Sequence, residues 1–334
     1  MMRIATAVAL LVMTISLQSC FKEDDQVTPH PVGDLQTDTI PMTDTYLNQV
    51  YFSLDSGRIV SSNIKTTFDL GFECRKSGWH IILNTSNFMK VVDLGEVTFG
   101  APYDTTGYKL KFDKSDGNID STAIDSWFNV AGNDTVSKRH VYAISRGLDE
   151  AGNPLGVYQV IFDSLKNNTY YFRYAPLAGG SGSRGYVKKD PQVNFIYFSL
   201  KTGSVIAAEP AAPTYDLLFT QYTTLLFTTE GLPYPYLVTG VLLNRFQVAA
   251  VADSLTDFMA ITRDMARNMT YSNAMDVIGW EWKTYNFDTG VYTIKNHLCF
   301  VIRGVSGYYY KLRFTGFYNK DGLKGYPMFE YQRL

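Results

Sequence analysis

The chain has 334 residues, 46% of them hydrophobic and 19% charged, a balance that suits a globular body with a substantial core. Its formal net charge is −2, and no block of Lys or Arg follows the spacing of a phosphate backbone, so nucleic acid is excluded as a partner on electrostatic grounds. Aromatic residues reach 15%, with 24 Tyr and 21 Phe, the types that favour half-buried strands.

The N-terminus reads as a targeting signal over residues 1–19. Arg3 is followed by an apolar run from Ile4 to Leu17, too short for a comfortable membrane span and laid out as a secretory signal. The run ends in Leu17-Gln18-Ser19-Cys20, which resembles the lipobox of bacterial lipoproteins and implies cleavage before Cys20 and lipidation of its thiol. Phe21-Lys22-Glu23-Asp24-Asp25 resembles a surface-export signal and implies a protein facing outward from the outer membrane, touching lipid through its anchor alone. Residues 20–45, with Pro29, Pro31 and Pro41 among Thr and Asp, lack apolar periodicity and read as a flexible tether.

Beyond the tether the chain says one thing twice. Val50–Val60 reads VYFSLDSGRIV and Ile196–Ile206 reads IYFSLKTGSVI, identical at five of eleven positions. Phe68-Asp69-Leu70 answers to Tyr215-Asp216-Leu217, and His140–Gly147 answers to His297–Gly304, each followed by an aromatic strand. Matches in one order across two halves predict an internal repeat. The expected boundaries are a first domain over 46–178, a Gly/Ser-rich linker over 179–193 and a second domain over 194–334. Gly180, Gly182 and Gly185 form a literal G-x-G-x-x-G, but Lys188-Lys189-Asp190-Pro191 is no helix start, so dinucleotide binding is set aside.

Alternation in Lys311-Leu312-Arg313-Phe314 has the period of a half-buried strand, and Asn167-Asn168 and Asn319–Gly322 are turn signals. Within 246–269, Val248, Val251, Leu255, Phe258 and Ile261 keep a helical spacing, with Ser254 as a cap. The expected fold class is all-β: two similar antiparallel β-rich domains in tandem, with a short helix in the second. Cys74 and Cys299 lie in apolar runs of different halves and are expected as buried free thiols.

The aromatic-Asp-Leu motif after a strand ending in Gly-x-Val/Ile resembles the HmuY family of haem-binding lipoproteins. So does the closing stretch Gly307–Leu334, with Tyr309, Tyr310, Lys311, Asn319, Gly322, Phe329 and Tyr331. The second half carries the resemblance from about Asn194, and the first half carries a weaker copy. Phe68 and Tyr215 stand where the family usually has Trp. The resemblance implies a surface haemophore that takes haem from a host carrier and passes it to an outer-membrane transporter, with an axial His or Met on the iron.

Haem needs axial donors, an apolar slot and partners for its propionates. His140 and His297 hold equivalent repeat positions, while His30 lies in the tether and alternation puts His80 opposite Trp79. Met259, Met265, Met269 and Met275 cluster in the second half; Met265 and Met269, four apart, would share a helical face. The haem-ligand candidates are therefore Met265, Met269, His140 and His297. Arg245, Arg263 and Arg267 are available to propionates, and Tyr234 and Tyr236 form an aromatic loop able to cover a flat ligand. No H-E-x-x-H, Walker loop or strict G-x-S-x-G is present, so the chain is read as a non-enzyme. The competing readings are a glycan- or protein-binding lipoprotein using Trp127, Trp280 and Trp282, or a structural module whose ligand site has decayed.

Overall fold

The computed structural model describes residues 32–131 and 134–334; the expected signal peptide, Cys20, the expected export stretch and His30 lie outside the described residues. Among the described residues the architecture is nearly all β, built from two four-stranded and two five-stranded antiparallel sheets, two short two-stranded ribbons and one short α-helix. One five-stranded sheet runs Ser183–Lys188, Thr169–Pro176, Val157–Lys166, Tyr142–Ser145, Lys90–Asp93. The other runs Gln36–Thr39, Lys324–Arg333, Tyr309–Tyr318, Cys299–Arg303, Ala249–Asp253. Turn chemistry sets the hairpins: Asn167 and Asn168 both take positive φ, 50° and 59°, and close a two-residue turn whose twist matches the flanking strands. In Lys324–Arg333, Gly325, Pro327, Phe329 and Tyr331 point inward at every second residue.

The repeated words are where the halves interlock. Asn48–Ser53 pairs with Leu217–Phe219, so the first copy of the hairpin sits in a sheet of the second half. Phe195–Phe198 pairs with Leu70–Glu73, so the second copy sits in a sheet of the first half. The two four-stranded sheets accordingly run Ser204–Ile206, Phe195–Ser199, Leu70–Glu73, Ile81–Leu83 and Arg58–Ile64, Asn48–Ser53, Leu217–Phe227, Pro233–Leu243, with corresponding orders. The ladders thus cross the boundaries 46–178 and 194–334, and residues 33–334 form one compact unit.

Each exchanged hairpin is buried in the core that receives it. Val50, Phe52 and Leu54 pack with Phe219, Phe314 and Phe329, while Phe198 and Leu200 pack with Phe72, Phe162 and Phe172. Burying side chains of this size stabilises by roughly 1.5–3 kcal/mol each. The aspartates of the repeated aromatic-Asp-Leu motif lock the exchange. Asp69 accepts the Leu200 N–H at 2.7 Å, and Asp216 accepts the Leu54 N–H at 2.7 Å. Both carboxylates are fully buried. Asp69 is also paired with the Arg146 guanidinium at 2.8 Å, whereas Asp216 receives the Val305 N–H at 2.8 Å and Arg303, the counterpart of Arg146, is exposed. Burial raises both carboxyls above the usual range, and the Arg146 charge opposes this at Asp69.

Several local expectations are corrected. The helical spacing over 246–269 is divided: Ala249–Asp253 is a strand paired with Cys299–Arg303, Phe258–Ala260 is a single 3-10 turn, and the α-helix is confined to Arg263–Asn268, capped by Thr262 rather than Ser254. The segment 179–193, expected as a linker, contains the strand Ser183–Lys188, which holds Gly185 of the glycine motif. Tyr234 and Tyr236 lie in the strand Pro233–Leu243, not in a loop. Cys74 and Cys299 are buried free thiols, as expected.

Candidate functional site

The hairpin of Leu217–Phe227 and Pro233–Leu243 extends past its pairing with Asn48–Ser53, which ends at Phe219. Its far end carries Leu225, Phe227, Leu232 and Tyr236 on the surface. Beside it the segment 275–282 is pinned back onto the hairpin edge. The Leu243 N–H donates to the Met275 carbonyl at 2.8 Å, and Val241 and Gly279 exchange backbone bonds at 2.9 and 3.0 Å. This close approach needs glycine twice. Gly279 has φ +59°, and a Cβ on Gly240 would stand 2.2 Å from the Gly279 carbonyl oxygen. A second turn follows, with Leu298 N–H donating to the Lys295 carbonyl at 3.0 Å and Lys295 N–H to the Trp282 carbonyl at 2.9 Å.

Hairpin end, segment 275–282 and turn 295–298 enclose a cleft of about 620 Å³, within the range of small-molecule sites. Its lining is mixed: Leu226, Phe227, Ile278, Trp280, Leu298 and Phe300 are apolar, and Lys295, Asp276 and Glu281 are charged. Tyr222 also lines the cleft; its ring is 1% exposed and its hydroxyl has no hydrogen-bond partner. A buried hydroxyl left unpaired costs about 1–3 kcal/mol. Burial, with the Asp276 and Glu281 charges, pushes that phenol well above its ordinary range, so it stands as a neutral donor. Asp276 is held in place by the Ser115 hydroxyl at 2.5 Å. Lys295, Tyr222 and Gly279 carry no motif, and sequence reasoning missed them.

The sequence-predicted ligands are dispersed. His297 stands on the turn that supplies Lys295 and Leu298 to the cleft and is exposed. His140 lies in the other half, its Nδ1 2.9 Å from the Asp93 carboxylate. Met265 is 38% exposed on the helix. Met269 follows the helix in extended conformation and packs against a separate cluster with Phe258 and Ile261, so the two methionines do not share a helical face. Met275, just before Asp276, packs with Tyr222 and Trp280. Arg245 is drawn instead toward the Gly117 carbonyl and the Phe195 ring.

His80 does not sit opposite Trp79. The two rings stack at 3.8 Å, and its Nδ1 lies 2.5 Å from Glu73. Burial disfavours the Glu73 charge, but hydrogen bonds from His80 and Arg75 more than offset it and hold the carboxyl down at about 2. Trp127 and Trp282 are 3% and 1% exposed, which removes them as a glycan platform; Trp280 lines the cleft.

Interlocked antiparallel sheets with a cleft of mixed lining beside an extended hairpin make up an all-β body. The HmuY protein family model matches residues 45–331, and the chain belongs to that family. The match spans both halves of the chain, from residue 45 to residue 331, and does not confirm two tandem copies of the family unit. No curated protein matches the chain. Apo PinO from Porphyromonas gingivitis is similar at 11% identity, covering 90% of this chain and 97% of that one with a TM-score of 0.29. The apo HmuY analog TFO of Tannerella forsythia has 11% identity, 90% and 97% coverage and a TM-score of 0.26. A putative HmuY-like heme binding protein from Bacteroides vulgatus has 14% identity, 41% and 82% coverage and a TM-score of 0.18.

Proposed function

We infer that the protein binds haem or a related porphyrin, performs no chemistry on it, and acts as a surface lipoprotein anchored through Cys20. It takes haem from a host carrier and delivers it to an outer-membrane transporter. The family match over 45–331 carries this reading. The cleft supports it with parts a porphyrin needs: apolar side chains including Leu226, Phe227 and Trp280, and Lys295 to receive a propionate. His297 is assigned as the iron donor from its place between Lys295 and Leu298, which both line the cleft, although its own side chain is not part of the lining. Met265, Met269 and His140 are the competing donors. At His140 the Asp93 carboxylate holds one imidazole nitrogen and leaves the other free for a metal.

The test is a haemin titration of the full-length protein followed in the Soret region. A saturable shift is expected in the wild type and in the Met265→Ala/Met269→Ala double variant, with His297→Ala losing the low-spin spectrum. An unshifted wild-type spectrum contradicts haem binding. A spectrum lost in the methionine variant, or in His140→Ala, and kept in His297→Ala moves the ligand elsewhere.

A further inference from the structure

The outer face of the first five-stranded sheet carries a feature that haem binding does not use. Arg173 and Arg184 are register partners, and so are Tyr171 and Tyr186 two residues along. Like charges directly opposite each other on a sheet are destabilising, so packing gives no reason for the arginine pair. Arg173 is held by Asp163 through a fork of hydrogen bonds at 2.8–3.2 Å. Among the described residues, the side chains of Arg184 and Arg139 have no hydrogen-bond or ion-pair partner. The three guanidiniums meet in one groove of about 340 Å³. A second groove of about 310 Å³ continues from Arg139 and Arg173 past Phe99 to Glu96. Asp163 neutralises one of three positive charges in the first groove, which leaves it cationic. Tyr171, in the groove's lining, and Tyr186 opposite it are 45% and 68% exposed and present rings engaged with no other aromatic among the described residues.

We propose that this face binds an acidic oligosaccharide, a chain of sugar rings bearing carboxylate or sulfate groups. Guanidinium forks match those anions in a planar, two-point geometry, and a Tyr face with a polar tip suits a pyranose ring. The two joined grooves favour an elongated ligand. Three arginines on a chain of net charge −2 fit a few acidic groups and oppose a phosphate at every unit. The site lies in the first half and shares no residue with the cleft of the second.

The experiment is calorimetric titration of the full-length protein with a heparin-derived hexasaccharide at low salt, beside neutral maltohexaose and a short oligothymidylate. Binding of the acidic sugar alone is expected, weakening as salt rises. Arg139→Ala/Arg184→Ala is expected to lose about tenfold or more in affinity. Because Arg184 opposes Arg173, the same variant should unfold at equal or higher urea, and its haemin spectrum should match the wild type. No heat with the hexasaccharide, equal binding by maltohexaose, tighter binding of the oligonucleotide, or an unchanged affinity in the double variant overturns the proposal.

Discussion

The two aspartate locks predict unequal costs for the same substitution. Asp69 and Asp216 occupy equivalent positions, both fully buried, and each receives the N–H of the leucine that follows an exchanged strand. Only Asp69 has a cation, Arg146, whose side chain is 4% exposed. Asp69→Asn keeps one carbonyl oxygen for Leu200 but leaves the Arg146 charge buried without a counter-charge, a loss of about 3–5 kcal/mol. Asp216→Asn strands no charge; its amide nitrogen meets one of two N–H donors, at a cost of about 1–3 kcal/mol. Urea unfolding should therefore rank wild type above Asp216→Asn above Asp69→Asn, with the two variants roughly 2 kcal/mol apart. Adding Arg146→Met to Asp69→Asn should recover part of the loss, because the stranded charge is gone. Equal midpoints for the two asparagine variants, or no recovery in the double variant, would show that the buried ion pair does not govern the first lock.

Three further outcomes follow from the same structure. Glu209 is buried among the Tyr215 hydroxyl, Asn194 and the Phe195 N–H, and burial lifts its carboxyl from about 4.5 to about 7. The folded state then holds a proton that the unfolded state has released, so this group's contribution to stability falls between about pH 4.5 and 7, by roughly 3 kcal/mol in all. Urea midpoints of Glu209→Gln should lack that slope. Lys283 is buried without a carboxylate, held by the Thr239 and Trp280 carbonyls against the Trp282 ring, and its ammonium is lowered to about 7 by burial. The unfolded state binds the extra proton between about pH 7 and 10.5, so stability should rise with pH over that window and Lys283→Met should flatten it. Finally, a chain of residues 194–334 alone lacks Val50, Phe52 and Leu54, three core side chains at roughly 1.5–3 kcal/mol each. Against a domain stability of about 5–15 kcal/mol, it should be unfolded by near-UV circular dichroism, and co-expression with residues 33–193 should restore the signal.

The sequence exposed some of this plainly. Asn167-Asn168 announced its turn, the alternation around Lys311–Phe314 announced a strand, and the paired words at Val50 and Ile196 announced equivalent hairpins. Which sheet each hairpin joins was hidden, because Phe52 and Phe198 meet the same aromatic environment in either core. Val251 keeps a helical spacing with Val248 and Leu255 yet joins a strand, since pairing with Cys299–Arg303 outweighs local periodicity. Trp127 and Trp282 were offered as surface aromatics although each fills a core, a distinction composition does not carry. The cleft was the least visible feature. Tyr222, Gly279 and Lys295 lie far apart along the chain and are ordinary residues until two turns bring them together. His297 was named from its repeat position alone, without the cleft beside it.

Anomalous scattering at the iron edge from crystals of the haemin complex tests the central claim most directly. The account predicts one iron peak in the cleft between Trp280 and the Lys295–Leu298 turn, within bonding distance of the His297 imidazole. An iron peak beside Met265 and Met269 or beside His140, or a complex with no ordered iron, would contradict it.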